Sequence, residues 1–161
     1  MRRSVTQFIA LVGAVILGLG AVPSPAQAAA SPHHIQNQAN LGCLGRQGTG
    51  TIAPVATFAC EDFSYQLWTP VFDSAYSGYR LYPYGSNKCL TSNPDATAAA
   101  VMLCGTSILQ LWLLDDRGNG LRWLHSVSSG KCLVLGSAPN LTQAPCADAP
   151  AHLWKIWGFT G

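Results

Sequence analysis

Two pairs of adjacent carboxylates are the residues that most resemble catalytic machinery in this chain of 161 residues. They are Glu61-Asp62 and Asp115-Asp116. Acid–base cleavage of a glycosidic bond needs two carboxyl groups that face each other across the substrate, whereas neighbouring residues of a strand point to opposite sides. No serine, threonine or cysteine lies in a recognisable nucleophile motif. We therefore predict a protein that is not an enzyme and that needs no cofactor.

Six cysteines offer a second kind of chemistry, either metal binding or disulfide formation. They occur in three copies of one pattern, Cys-Leu followed by a second Cys, and no Cys-x-x-Cys pair is present, so we expect no metal site. Only pairing within each copy treats the three copies alike. This argument predicts the disulfides Cys43–Cys60, Cys89–Cys104 and Cys132–Cys146.

Each copy of the cysteine pattern ends in a Leu-Trp dipeptide, which indicates a repeated structural unit. The tryptophans are Trp68, Trp112 and Trp154, and we expect them in the core. Two positions before them stand Gln66, Gln110 and His152, whose side chains can satisfy backbone groups that would otherwise be buried unpaired. For His152 we expect the same structural hydrogen bond as for the glutamines.

Short apolar runs, interrupted by Gly, Pro, Asn and Ser, predict an all-β domain. Three units of about 43 residues, with about twelve short strands in all, can close around a threefold axis and so remove exposed sheet edges. We place the single domain at 31–161 and its repeats at about 33–76, 77–119 and 120–161.

The first thirty residues have the features of a secretory signal peptide. Arg2 and Arg3 precede an apolar run from Phe8 to Val22, and small residues suited to cleavage follow at 28–30. No later stretch is long and apolar enough to span a bilayer. We therefore expect a secreted, extracellular protein, which agrees with six cysteines in an oxidising compartment.

The charge balance of the remaining chain excludes two classes of partner. The chain has nine basic and seven acidic residues, and Arg2 and Arg3 account for the excess. A neutral protein lacks the basic field that attracts nucleic acid or anionic lipid. We expect a monomer that binds neither.

The Gln-x-Trp repeats, together with Lys-Cys-Leu at 88–90 and 131–133, resemble those of ricin B-type lectins. The resemblance covers nearly all of the chain after residue 30. It implies the β-trefoil fold and a non-catalytic carbohydrate-binding module.

The resemblance also implies where a sugar pocket would lie in each repeat. The family places an Asp two positions after the first Cys, a ring two positions before the second Cys, and an Asn just before the Gln-x-Trp. In this chain the Asp position holds Gly45, Thr91 and Val134. The ring position holds Phe58, Met102 and Ala144, and the Asn position holds Tyr65, Leu109 and Ala151.

Only the first repeat keeps a ring, so it is the candidate carbohydrate site. Phe58 and Tyr65 would serve as stacking platforms, with Gln66 and Arg46 as polar contacts. The alternative is that Phe58 packs in the core and Gln66 is wholly structural. Binding without a carboxylate acceptor would be weak, because hydrogen bonds to charged groups contribute more than neutral ones.

Two functions follow from this pattern of retained and lost residues. The first is a secreted lectin-like module that recognises extracellular or cell-surface glycans. The alternative is a trefoil that has lost sugar binding and binds a protein instead, as a partner subunit of a toxin or enzyme, or as an inhibitor. A tyrosine cluster at Tyr76, Tyr79, Tyr82 and Tyr84 is compatible with either, because exposed tyrosines favour sugar stacking and protein contact alike.

Overall fold

The structure, a computed structural model, describes residues 31–93 and 99–160, so the predicted signal peptide lies outside the described residues. The first four strands are β1 (His33–Asn37), β2 (Cys43–Arg46), β3 (Ala53–Phe58) and β4 (Leu67–Asp73). The next four are β5 (Gly78–Pro83), β6 (Lys88–Thr91), β7 (Ala100–Leu103) and β8 (Trp112–Asp116). The last four are β9 (Leu121–Ser126), β10 (Cys132–Leu135), β11 (Leu141–Ala144) and β12 (Trp154–Ile156).

Six of the strands close into a barrel. β1 pairs with β4, β4 with β5, β5 with β8, β8 with β9, β9 with β12, and β12 again with β1, all antiparallel. The closure pairs Ile35 of β1 with Ile156 of β12. A closed ring leaves no barrel strand with an unpaired edge.

The other six strands form three hairpins, β2–β3, β6–β7 and β10–β11. Two of them join where Ala53 pairs with Val101, and a bridge from Ala56 to Asn140 connects the third. A six-stranded barrel with three joined hairpins is the β-trefoil, as predicted. Among the described residues, no helix is long and apolar enough to cross a membrane.

The tryptophans of the repeats are completely buried at the start of β4, β8 and β12. The indole N–H of each donates to the backbone carbonyl of the leucine in the Cys-Leu pair of its own repeat: Trp68 to Leu44 at 2.7 Å, Trp112 to Leu90 at 2.9 Å, and Trp154 to Leu133 at 2.8 Å. A buried indole donor needs such a partner. The two halves of the repeated sequence pattern are therefore in direct contact.

All three predicted disulfides are present, one in each repeat. The Cα atoms of the paired cysteines lie 5.0, 4.9 and 5.0 Å apart, and none of the cysteines is free. Each bond closes a loop of similar length and stabilises the fold by about 3 kcal/mol in the chain-entropy model.

The turn between β8 and β9 shows why glycine is required at one predicted turn. Gly118, Asn119 and Gly120 have φ values of 81°, 55° and 73°. Glycine adopts this left-handed conformation without steric cost, and asparagine tolerates it better than most residues. The turn keeps β8 and β9 in register, with Asp115 opposite Trp123.

Candidate functional site

A short 3₁₀ helix precedes the last strand of every repeat and carries the Gln or His of the motif. The three helices are Ser64–Gln66, Ile108–Gln110 and Pro150–His152. The side-chain oxygen of Gln66 accepts from the backbone N–H of Glu61 at 3.0 Å, and that of Gln110 accepts from Gly105 at 2.7 Å. Both glutamines thereby fix the loop that follows the second cysteine of their repeat.

His152 differs from the two glutamines, and the hydrogen bond predicted for it is not formed. Its ring is half-buried, and its Nδ1 is buried without a partner among the residues that the structure describes. The imidazole has no carboxamide oxygen to accept from a backbone N–H of the loop. The equivalence predicted for this position is therefore wrong in its hydrogen bonding.

Three of the four predicted site residues of the first repeat line one cavity of about 450 Å³. Its walls are Arg46 at the end of β2, residues 47–49 of the β2–β3 loop, Phe58 at the end of β3, and Ser64 and Tyr65 of the 3₁₀ helix. We call it the first-repeat pocket. Arg46, Phe58 and Tyr65 meet there because the loop, the strand end and the helix converge beside the β2–β3 hairpin.

The fourth predicted residue, Gln66, is 1% exposed and does not line the pocket. Its amide nitrogen donates to the Tyr65 hydroxyl at 3.3 Å while its oxygen holds the Glu61 amide. The structure therefore gives Gln66 a supporting position, in which it orients Tyr65, and not the direct ligand contact that the sequence suggested.

The aromatic surface beside the pocket is larger than predicted. Phe58 and Tyr65 meet edge to face with ring centroids 5.4 Å apart, and Phe63 stacks on Tyr65 at 5.5 Å with an interplanar angle of 13°. Phe63 is 51% exposed. The sequence analysis did not identify Phe63, because this residue lies outside the three positions that form the sugar pocket in the family. Its place in the loop just before Gln66 could have identified it.

Gly45, at the position where the family has its Asp, is covered by the ring of Phe58. A Cβ atom on Gly45 would lie 2.8 and 2.9 Å from Cδ2 and Cε2 of that ring, closer than real contacts allow. The ring thus occupies the space that a carboxylate at position 45 would need. Phe58 is half-buried, so it packs against the backbone and still presents a surface to the pocket.

Two cationic side chains, Arg46 and Lys88, form hydrogen bonds to the backbone of the β2–β3 loop that lines the pocket. Arg46 Nη1 donates to the carbonyl oxygen of Gly48 at 2.8 Å, while its Nε is buried without a partner. Lys88 of β6 donates from Nζ to the carbonyl of Thr49 at 2.9 Å and also to that of Gly50. Neither cation forms an ion pair with a carboxylate that the structure describes.

The equivalent positions of the other repeats make a different surface. In the second repeat, Thr91, Met102 and Leu109 line a smaller cavity of about 230 Å³, and none of its described lining residues is charged. In the third repeat Val134 is buried, and Ala144 and Ala151 offer neither a ring nor a polar group. Of these three sets of equivalent positions, as far as the structure describes them, that of the first repeat combines rings with a cation.

A second aromatic–cation contact lies on the β8–β9 hairpin. The guanidinium of Arg117 sits 3.9 Å from the ring centroid of Trp123 and forms two hydrogen bonds to Asp148, at 2.9 and 2.7 Å. The hydrogen bond to Arg117 lowers the pKa of the Asp148 carboxyl, and the same bond raises the pKa of Arg117. The guanidinium thus covers one face of Trp123, and its charge is paired with Asp148.

No group of three or more His, Cys, Asp or Glu side chains in the described ranges is arranged to hold a metal ion.

A comparison with protein-family models matches residues 31–155 to the ricin-type beta-trefoil lectin domain. A search of curated proteins finds no match.

Solved structures with similar folds include three informative examples. ThreeFoil, a designed threefold-symmetric protein, superposes with a TM-score of 0.72 at 21% identity, over 78% of this chain and 96% of its own. A mosquitocidal holotoxin gives 0.74 at 18% identity, over 81% of this chain but 17% of the toxin chain. SeviL bound to asialo-GM1 saccharide gives 0.65 at 15% identity, over 80% of this chain and 97% of its own. At these identities the similarity establishes the fold.

Proposed function

Since the chain belongs to the ricin-type β-trefoil lectin family, we propose that it is a carbohydrate-binding module whose site is the first-repeat pocket. The observation that carries the proposal is the convergence of Phe58, Tyr65 and Arg46 on one cavity. Aromatic rings stack on the apolar C–H face of a pyranose, and a guanidinium donates to its oxygens.

The neighbouring structures agree with this proposal. SeviL, which shares the fold, was solved with a bound saccharide. The pocket volume of about 450 Å³ lies in the range of ordinary small-ligand sites. The exposed ring of Phe63, stacked on Tyr65, extends the surface beyond one sugar and is suited to an oligosaccharide.

A glycan panel and a set of insoluble polysaccharides, presented to the protein and to two variants, test the site. We expect Phe58→Ala to weaken binding at least about 10-fold, equivalent to 1.4 kcal/mol, because the ring is the principal stacking surface. Met102→Ala is the matched control, since Met102 occupies the same position of the second repeat; it should bind like the wild type. Circular dichroism establishes that both variants are folded. Glycan binding that survives Phe58→Ala unchanged would place the sugar site elsewhere.

We also propose that the protein acts outside the cytoplasm. Three disulfides are typical of oxidising compartments, and the first thirty residues have signal-peptide features. Mass analysis of the N-terminus of the protein recovered from culture medium should show cleavage near residues 28–30. Retention of an intact N-terminus inside the cell would contradict this localisation.

One observation favours protein binding as a second candidate function. Phe72 is 54% exposed at the end of the β4–β5 hairpin and contacts Tyr79, which in turn contacts Phe159. Exposed aromatic clusters are characteristic of protein interfaces. The holotoxin neighbour shows that this fold also occurs as a small part of a larger toxin.

If the aromatic cluster is the functional surface, the wild type should co-purify with one stoichiometric protein from the medium of its source, and Phe72→Ser should not. Phe58→Ala would then be the neutral control. Phe58→Ala and Phe72→Ser therefore separate the two candidate functions, because each substitution should reduce one kind of binding and leave the other unchanged.

A further inference from the structure

We propose that the first-repeat pocket selects an acidic sugar, that is, a pyranose bearing a carboxylate or a sulfate. The inference rests on the proposed carbohydrate binding and adds the ligand class. It follows from the charge of the pocket, the free donors of its guanidinium, and the absence of an acidic group among its lining residues.

Among the described residues that line the pocket, Arg46 is the one with a formal charge at neutral pH. The other lining groups are a phenol, a hydroxyl-bearing pair, an amide, a glycine and a benzyl ring. An acidic group on a sugar would therefore meet one cation and no anion. A guanidinium suits such groups because its donors match the geometry of carboxylates and sulfates and because it stays charged at any ordinary pH.

The guanidinium of Arg46 has donors to spare. Nη1 donates to the carbonyl oxygen of Gly48 and Nε is buried, which leaves Nη2 without a hydrogen-bond partner among the described residues and available to a ligand. In contrast, Arg80 and Arg117 are held by Asp73 and Asp148. Among these three arginines, Arg46 is the one with charge left uncompensated by a protein carboxylate.

Lys88 adds a second positive charge to the same loop. Its ammonium binds the carbonyls of Thr49 and Gly50, and no carboxylate in the described ranges pairs with it. The loop that forms one wall of the pocket is thus held between two cations. Their fields add at the pocket and favour an anionic ligand.

The absence of the family's Asp at position 45 also favours an acidic ligand. A carboxylate at position 45 would accept hydrogen bonds from a neutral sugar and would repel an acidic one. Here that position is Gly45, and Phe58 fills the space above it. The substitution therefore removes both the strong acceptor for neutral sugars and the repulsion against acidic ones, which is a change of specificity more than a simple loss.

Titration calorimetry with matched ligand pairs tests this inference. One arm compares an oligogalacturonate with the corresponding neutral galactan oligomer, and the other compares a sulfated galactan oligomer with its desulfated form. The two arms distinguish a carboxylate from a sulfate as the preferred group. We expect the acidic member of at least one pair to bind at least about 10-fold more tightly, with an affinity that falls as salt rises.

Three variants assign the preference to the pocket. Arg46→Gln should bring the acidic and the neutral member within about 2-fold of each other, and Arg46→Lys should retain part of the preference because it keeps the charge. Lys131→Gln is the matched control: it removes one exposed positive charge that precedes Cys132, in the third repeat, and should change nothing. Circular dichroism confirms the fold of each variant.

The possible failures are distinguishable. If neutral oligomers bind as tightly as acidic ones and Arg46→Gln has no effect, the acidic-sugar inference is overturned while carbohydrate binding stands. If Lys131→Gln weakens acidic binding as much as Arg46→Gln does, the attraction is general and the inference is likewise overturned. If no glycan binds at all, the proposed function fails, and the inference fails with it.

Discussion

The contact between Gly45 and Phe58 determines which groups can line the first-repeat pocket. The Phe58 ring lies so close to Gly45 that a Cβ atom at position 45 would overlap with it. The pocket therefore has an aromatic wall beside the Arg46 cation and lacks the carboxylate that the family pattern would place at position 45.

Restoring the family's carboxylate should carry a measurable cost in stability. We expect Gly45→Asp to lower the free energy of unfolding by about 1–3 kcal/mol, because the new side chain must displace the Phe58 ring from a packed position. Urea unfolding followed by tryptophan fluorescence measures the change. Gly105→Asp is the control, since a Cβ on Gly105 would meet open space, and it should be nearly neutral. Equal stability of the two variants would show that the ring moves without cost.

At the scale of the elements, each repeat is braced by the same set of contacts between its strands and its 3₁₀ helix. A disulfide joins the start of β2, β6 or β10 to the loop after the next strand, and the indole of the motif Trp binds the carbonyl next to the first cysteine. The glutamine brace on the loop completes this set in two repeats. Among the described residues the third repeat lacks it, since the His152 ring forms no hydrogen bond to the loop.

Completing the brace of the third repeat should stabilise the protein. In His152→Gln the carboxamide can accept from the backbone N–H of Ala147, five positions earlier, as Gln66 and Gln110 do for Glu61 and Gly105. We expect a gain of about 0.5–1.5 kcal/mol in the free energy of unfolding, the net contribution of one hydrogen bond, measured by thermal unfolding.

The reciprocal variant provides the control for the brace. Gln110→His should lose the bond to Gly105 and those to Leu103 and Thr91, and so destabilise by more than His152→Gln stabilises. A stability of His152→Gln at or below that of the wild type would mean that the third loop cannot accept the brace.

The sequence predicts the residues whose role recurs in all three repeats and misses those whose role occurs once. Trp68, Trp112 and Trp154 recur at nearly equal spacing, and the two cysteines of each repeat recur with them. The fold and the three disulfides were predicted from that recurrence. Phe63 and the contact of Phe58 with Gly45 occur once, and no internal comparison reveals them. Gln66 shows a further limit: its type and position predicted polar function, but only the structure shows that its polar atoms are already used by Glu61 and Tyr65.

At the scale of the whole molecule, three similar units stabilise one closed barrel. The units share the barrel strands and touch through their hairpins, so none of them buries its core alone. The residues of the candidate site do not follow this symmetry, since the first repeat differs from the other two at the positions of Arg46, Phe58 and Tyr65. The scaffold is therefore threefold, and the candidate site lies in one repeat.

Removing any one disulfide should affect the whole molecule to a similar degree. The cysteines of the three bonds are separated by 17, 15 and 14 residues, so the chain-entropy model predicts a loss of about 3 kcal/mol for each pair of Cys→Ala substitutions. Guanidinium unfolding of the three double variants measures the losses, and each should show a single transition. A loss confined to one repeat, seen as a separate early transition, would contradict the single closed core.

The pairing of β1 with β12 brings the two ends of the described chain side by side. Ile35 lies opposite Ile156, and His33 Nδ1 is 2.6 Å from the carbonyl oxygen of Trp157. Because these two ends are adjacent, they can be joined by a linker and the chain can be opened at another point without changing which strands pair. A circular permutant joined through a short linker and opened in the exposed turn at 74–77 would keep every barrel pair, and its new termini would leave the surface beside the aromatic cluster of Phe72.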